Sequence, residues 1–392
     1  MTPPIQRRGD SGPAVAEIRW RLMRLGLLPD HTHDPVATAG ATHPAPDVFD
    51  DSLDEAVRHF QQAHGITVDG IVGAQTFRRL DEARWRLGDR ILSYTAGHLM
   101  SGDDVAGLQH RLIDLGFDLR KVDGLFGPDT DHAVREFQRN VGLDPDGTCG
   151  PATFKALDRL VRAVTGGAAH TLRELHVWES ALTGVADKVV VIDPGHGGYD
   201  TGHCHGHLTE AGVAWDLAQL VEGRLAAIGV QVLLTRGAAG HVPSGFLPAD
   251  QVDDKTPDEA GRSQFANDTG ADLVVSLHTD RAPSPRPSGV ATFYYGHDRF
   301  GMSSPSGERF AGLVQEELVT RTDFTDLHTH GKTWDILRLT RMPAVRIECG
   351  YLSSPEDSER LADPSFRESV ADAITAAIIR FFAPTEESSS PN

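Results

Sequence analysis

Four side chains in the second half of the chain are of the types that hydrolytic metal chemistry uses: His196, Glu210, His278 and Glu348. Val189-Val190-Val191-Ile192 is an unbroken β-branched run and predicts a buried strand, which Asp193-Pro194-Gly195-His196-Gly197-Gly198 ends abruptly. His196 thus falls at the carboxyl edge of a sheet, where open α/β folds gather their ligands. Glu210 opens a helix-patterned stretch that reaches Ile228, with Leu217, Leu220, Val221 and Leu225 on one side. His278 closes a second apolar strand that begins at Ala271, and Glu348 ends a third, Ala344-Val345-Arg346-Ile347-Glu348, just before Cys349-Gly350. Two imidazoles and two carboxylates, separated by whole strand and helix units, meet the needs of a catalytic zinc. Three donors leave one coordination position open, and the fourth group moves protons. Each residue alone has a plainer reading. A His beside glycines is commonly a loop residue, and Glu348 can pair with Arg346 or Arg341, because residues i and i+2 of a strand share a face. Cys349 as a nucleophile has no His beside it in sequence.

The elements that must position these groups alternate. Strands are expected near residues 188–193, 230–235, 271–278, 289–295 and 344–349, and helices near 210–228, 257–269, 305–321 and 364–382. This predicts an α/β domain over residues 188–383, a mixed, mostly parallel sheet flanked by helices. Upstream, the chain repeats itself. Phe60-Gln61, Asp69-Gly70, Gly73, Thr76 and Leu80 recur 77 positions later as Phe137-Gln138, Asp146-Gly147, Gly150, Thr153 and Leu157. Arg21-Leu22 and Leu25-Gly26 recur as Arg111-Leu112 and Leu115-Gly116, so the first copy carries extra residues between Pro29 and Pro46. Each copy predicts a small three-helix all-α module, 8–86 and 98–162. Residues 163–187, with a short helical stretch around Leu172 to Leu182, are expected as a linker, and the Ser-, Pro- and Glu-rich residues 384–392 as a disordered tail. His31, His33 and His43 in the inserted run, and His203, Cys204, His205 and His207 before Glu210, are expected in solvated polar loops.

Composition narrows the classes. A chain of 392 residues, 39% hydrophobic and 24% charged, has material for two or three globular domains. Its net charge of -19 disfavours nucleic acid and anionic membrane surfaces as partners. Three scattered cysteines give no disulfide framework and fit a reducing compartment. The amino terminus has basic residues without an apolar run behind them, and no later segment is long and apolar enough to span a membrane. The expectation is therefore a cytoplasmic location, or the cell wall if the chain's start lies elsewhere.

As a set, Asp193-Pro194-Gly195-His196-Gly197-Gly198, Glu210, Ser276-Leu277-His278 and Met342-Pro343-Ala344-Val345 through Glu348-Cys349-Gly350-Tyr351 resemble the four motifs of the zinc-dependent N-acetylmuramoyl-L-alanine amidases. The resemblance spans Lys188 to Phe382. It implies His196, Glu210 and His278 as zinc ligands, Glu348 as the catalytic carboxylate, Zn2+ as cofactor, and peptidoglycan or a muropeptide as substrate. Arg262, Ala266 and Asn267 also match the family and are expected to cap and pack. Ser354 stands where the family commonly has Asn. Val68-Asp69-Gly70-Ile71-Val72-Gly73 and Pro145-Asp146-Gly147-Thr148-Cys149-Gly150 resemble peptidoglycan-binding modules attached to wall hydrolases. The whole chain is also similar to a group of actinobacterial proteins, some of which regulate peptidoglycan precursor synthesis in the cytoplasm. That similarity implies a second function, non-hydrolytic, with a cytosolic precursor enzyme as partner.

Overall fold

The structure, a computed structural model, describes residues 5–28, 47–119, 121–161, 184–237, 259–282, 284–297 and 302–383. The inserted run with His31, His33 and His43, most of the expected linker and the expected tail lie outside them. The chain divides into two compact units, Met1–His170 and, apart from residues 298–300, Thr171–Asn392.

The first unit contains α1 (Pro13–Arg24), α2 (Asp51–Ala63), α3 (Ala74–Glu82), β1 (Met100–Ser101), α4 (Asp103–Asp114), β2 (Leu125–Phe126), α5 (Pro128–Asn140) and α6 (Pro151–Val161). Val15, Ile18 and Leu22 of α1 share one core with Leu53, Val57 and Phe60 of α2 and Leu80 of α3, as the helical spacing of these apolar residues requires. The repeated Gln and Asp-Gly have a physical purpose. Gln61 Nε2 lies 2.7 Å from Asp69 Oδ1, 3.0 Å from Ile71 O and 3.2 Å from Thr76 Oγ1, which ties the turn after α2 to α3. Gln138 repeats these contacts with Asp146, Thr148 O and Thr153. A third copy lies between α4 and α5, where Gln109 Nε2 meets Asp123, Leu125 O and Thr130. Burying an amide is tolerable because its donors and acceptor are satisfied, and the same bonds fix the turn. In the first module Arg19 takes the place of Gln109, donating to Val48 O at 2.8 Å and pairing with Asp50.

The second unit runs β3 (Val189–Pro194), β4 (Cys204–His205), β5 (Leu208–Thr209), α7 (Glu210–Ala226), β6 (Gln231–Leu234), α8 (Glu259–Asp268), β7 (Leu273–Asp280), β8 (Val290–His297), β9 (Met302–Ser303), α9 (Pro305–Arg321), β10 (Asp326–Lys332), α10 (Asp335–Arg338), β11 (Ala344–Tyr351), α11 (Pro355–Ala362) and α12 (Pro364–Phe382). Seven strands form one sheet in the order β10-β8-β11-β7-β3-β6, with β9 on β8. Strands β11, β7, β3 and β6 are mutually parallel, and β8 runs antiparallel to β11. The sheet is mixed and mostly parallel, as the alternation predicts.

Its two faces differ in chemistry. Val190, Ile192, Leu273, Val275, Leu277, Val345, Ile347 and Cys349 point to one side and form a single apolar core with α7, α9 and α12. The alternate residues Asp193, Ser276, His278, Arg346 and Glu348 share the other side, and Arg262 of α8 bonds to Asp193 there. Cys349 is consequently in the apolar core, where burial pushes its thiol far above the usual range, and it is no nucleophile for the site.

One expectation is corrected by the structure, and one strand falls outside the expected ones. His203 to His207 belong to an exposed hairpin, β4 paired with β5, rather than to a loop. Strand β10, Asp-Leu-His-Thr-His-Gly-Lys, gives no apolar run because it is an exposed edge strand whose pairing is carried by backbone bonds to β8. Ser354 accepts the Asp357 N–H and caps α11.

Candidate metal centre

Three elements bring His196, Glu210 and His278 together at the carboxyl end of the sheet, with one donor atom from each lying within 4.8 Å of the others. His278 arrives near the end of β7. Glu210 is the first residue of α7, whose start is fixed by the Thr209 hydroxyl accepting the Gly212 N–H at 3.1 Å. His196 follows β3 in a left-handed backbone conformation, φ 53°, which is costly for a residue with a Cβ and marks a position held by its surroundings.

Those surroundings are two buried guanidiniums. Arg236 donates to Pro194 O (2.8 Å), Gly195 O (3.0 Å) and Ala211 O (2.9 Å), and Arg262 donates to Pro194 O (2.9 Å) and His196 O (2.7 Å). Between them they bind every carbonyl of the Pro194–His196 loop. Arg262 also pairs with Asp193, which takes bonds from Ser276 and Thr235. Burial works to raise the Asp193 pKa, but the Arg262 charge and those two hydroxyls outweigh it and hold the pKa at about 2. Arg262 therefore packs and orients, as does Asn267, which bridges Leu339 O and the Arg341 N–H.

The donor geometry asks for a cation. His196 Nε2 and His278 Nδ1 lie 3.1 Å and 3.0 Å from the same atom, Glu210 Oε1. His196 Nδ1 lies 2.8 Å from Asp200 Oδ2, so this nitrogen is the donor and Nε2 is left to face the inner carboxylate. Without a metal, a proton fills that need. Burial works against charge on His196, but its bonds to Asp200 and Glu210 prevail and lift its pKa to about 9. Burial and then the Arg346 charge push His278 down to about 3, against the pull of Glu210. Burial raises Glu210, yet its bonds to the two imidazoles hold it far below the usual carboxylate range.

Space fits as well as charge. A Cβ on Gly195 would run into the His278 ring, and one on Gly202 would lie 2.6 Å from Glu210 Oε2, so glycine is required at both places. Two neutral imidazoles and one carboxylate are a donor set that suits zinc.

Glu348 pairs in register with His278 across β11 and β7. Arg346 lies two residues before it on the same face, and their ion pair is formed: Nη2 to Glu348 Oε1 is 2.7 Å. Glu348 Oε2 is buried with no hydrogen-bond partner. Burial pushes this carboxyl up to about 7 against the Arg346 charge, with Glu210 adding to the rise.

The family profile for N-acetylmuramoyl-L-alanine amidase matches residues 190–380, and that for a peptidoglycan-binding domain matches residues 11–80 and 101–157. The N-acetylmuramoyl-L-alanine amidase CwlM of Mycobacterium tuberculosis is 42% identical over 380 residues, covering 96% of this chain and 89% of the relative. The chain belongs to the N-acetylmuramoyl-L-alanine amidase family. The germination-specific amidase of Bacillus subtilis is 31% identical over 218 residues, 55% of this chain and 86% of that one. Among solved structures, AmiC2 of Nostoc punctiforme is 29% identical with a TM-score of 0.43, covering 50% of this chain and 98% of that chain.

In this amidase, sequence reasoning passed over Asp200 and Arg236. Asp200 carried a usable signal, since a metal-ligating His hands its other N–H to a carboxylate or carbonyl and an Asp four residues away on a glycine turn can supply one. Gly197 and Asp200 close that turn with two backbone bonds, 2.7 Å and 3.0 Å. Replacing Asp200 with Ala is expected to weaken zinc binding by about 10- to 100-fold, measured by competition with a chromophoric chelator. An unchanged affinity would show that His196 needs no such support. Among the described residues no helix is long and apolar enough to cross a membrane.

Proposed function

We propose that this amidase uses zinc held by His196, Glu210 and His278, with Glu348 as its proton carrier, to cleave the amide between N-acetylmuramic acid and L-alanine in peptidoglycan or muropeptides. The observation that carries the reading is the convergence of two imidazoles on one buried carboxylate oxygen, beside a second carboxylate whose outer oxygen is unpartnered. When bound, zinc polarises a carbonyl and lowers the pKa of a coordinated water toward neutrality. Glu348 Oε2 takes up a proton from the attacking water and returns it to the departing nitrogen of L-alanine, which could not otherwise leave as an amine. Arg346 holds the other oxygen. Asp200 keeps His196 in the tautomer that presents Nε2. The two amino-terminal modules add binding to the wall polymer, so that the catalytic unit works at a raised local concentration of substrate.

A second reading, a non-hydrolytic regulator acting through a peptidoglycan-precursor enzyme, is favoured by one observation, the tie of Glu348 to Arg346. The experiment that separates the two is zinc analysis of purified full-length protein followed by muropeptide digestion. Release of a stem peptide with a free L-alanine amine, lost on chelation and restored by zinc, supports hydrolysis. Stoichiometric zinc without any release supports the regulator, and failure to take up zinc removes the metal site from both.

A further inference from the structure

Arg346 is fixed on three sides. Its Nε and Nη2 lie 2.8 Å and 2.7 Å from Glu348 Oε1, and Nη1 lies 2.8 Å from Glu259 Oε1. Its Cζ sits 4.4 Å from the centroid of the Trp334 ring, the face of which attracts a cation. Across the β11–β7 pair, Arg346 is in register with Ser276 and Glu348 with His278, so the guanidinium stands on the site's own face, one residue pair behind the imidazole. Guanidinium does not lose its proton in a protein. The chain therefore keeps a permanent positive charge next to the place where it gathers ligands for a divalent cation. Such charges repel far more strongly in a dry site than in water.

We infer that Arg346 is a resident counter-ion that opposes the metal: by neutralising Glu348 and standing beside the triad, it weakens divalent-ion binding to His196, Glu210 and His278. The inference rests on the triad being the metal site, and the two can fail separately. The guanidinium is taken up by Glu348, Glu259 and the Trp334 ring, so Arg346 is a positioning and charge-setting residue rather than a catalytic one.

The test is zinc affinity of the full-length chain, by competition with a chromophoric chelator, for wild type, Arg346→Met and Arg346→Lys. Methionine fills much of the volume of the arginine stem without its charge. Arg346→Met is expected to bind zinc about tenfold tighter or more. Arg346→Lys, which keeps the charge but not the fork that reaches both carboxylates, is expected to bind zinc no tighter than wild type. Structural damage loosens a metal site, so tightening by Met and not by Lys is the signature. Equal or weaker affinity in a folded Arg346→Met, or equal tightening in both variants, overturns the inference and leaves the triad standing. If neither wild type nor Arg346→Met takes up zinc, both readings fall. Should Arg346→Met not fold, the same change is made in a Glu348→Gln background, which removes one of the two carboxylates that lose the guanidinium. Affinity above that of Glu348→Gln alone supports the inference, and affinity equal to it or below overturns it.

Discussion

Glu348→Gln is expected to retain zinc and substrate binding while kcat falls by about three orders of magnitude, in line with the 10²- to 10⁴-fold that positioned proton transfer supplies. The substitution is nearly isosteric. Its carbonyl oxygen can still accept from Arg346, and Arg346 keeps its pair with Glu259. What disappears is the ability of the outer oxygen, buried and without a partner, to take up a proton and give it back. A fall in kcat with KM within about threefold identifies a group that acts only on the way to the transition state. A collapsed melting temperature would instead mean that the buried pair with Arg346 is chiefly structural, since breaking such a pair from one side costs about 3–5 kcal/mol. The pH dependence has a definite sign. Glu348 must be ionised to accept a proton, so kcat falls as pH drops through its pKa. That value is about 7 in the metal-free chain, raised by burial against the Arg346 charge. A bound cation nearby favours the ionised form, so the acid limb of the kcat profile is expected below pH 7 and is expected to vanish in Glu348→Gln.

How far the sequence reveals such a site depends on what each residue is doing. Strands β3, β7 and β11 are legible because parallel strands buried on both faces are dense in β-branched and apolar residues. The same density conceals their second feature, that Asp193, Ser276, His278, Arg346 and Glu348 line one face while the alternate positions are apolar. Period-two alternation was visible in β11, and it left the pairing of Arg346 with Glu348 open, because sharing a face does not fix a rotamer. Arg236 is hidden for a different reason. It follows an apolar run and looks like an ordinary strand end, and only the chain's return past Pro194 and Ala211 gives its five donors something to bind. The third Gln hub shows the opposite case. Asp123-Gly124, Gly127 and Thr130 repeat the spacing of Asp146-Gly147, Gly150 and Thr153, but a search for one long repeat passes over a shorter one nested inside it. Strand β10 could be found only from its neighbour β8, since nothing in its own composition requires a sheet.

Glu210→Gln is expected to abolish zinc binding at micromolar metal and turnover with it. Glu210 Oε1 is the atom on which both imidazoles converge, and it also accepts the Thr279 N–H at 3.2 Å, while Oε2 accepts the His203 N–H at 3.1 Å. Glutamine keeps the size of the side chain and can keep one of those backbone bonds, but it removes the single negative charge that the donor set contributes. If four ligands share the roughly 10–16 kcal/mol of a tight zinc site, one ligand accounts for about 2.5–4 kcal/mol, or about 10²- to 10³-fold in affinity. The metal-free protein provides an independent check. Wild type stores a proton on His196, whose pKa is lifted to about 9 by its bonds to Asp200 and Glu210 against burial. Zinc binding at pH 7.5 must therefore expel that proton, which calorimetry in buffers of different ionisation enthalpy can count. In Glu210→Gln one of the two carboxylates that raise His196 is gone, so its NMR titration is expected to move down toward the ordinary histidine range. Stability follows the same logic. A ligand that binds only the folded state at a thousand times its Kd adds about 4 kcal/mol, so a chelator should lower the melting temperature of wild type and leave Glu210→Gln unmoved. A variant that still binds zinc stoichiometrically, or a wild type whose melting ignores the chelator, would mean that these two imidazoles and this carboxylate form a hydrogen-bonded cluster and nothing more.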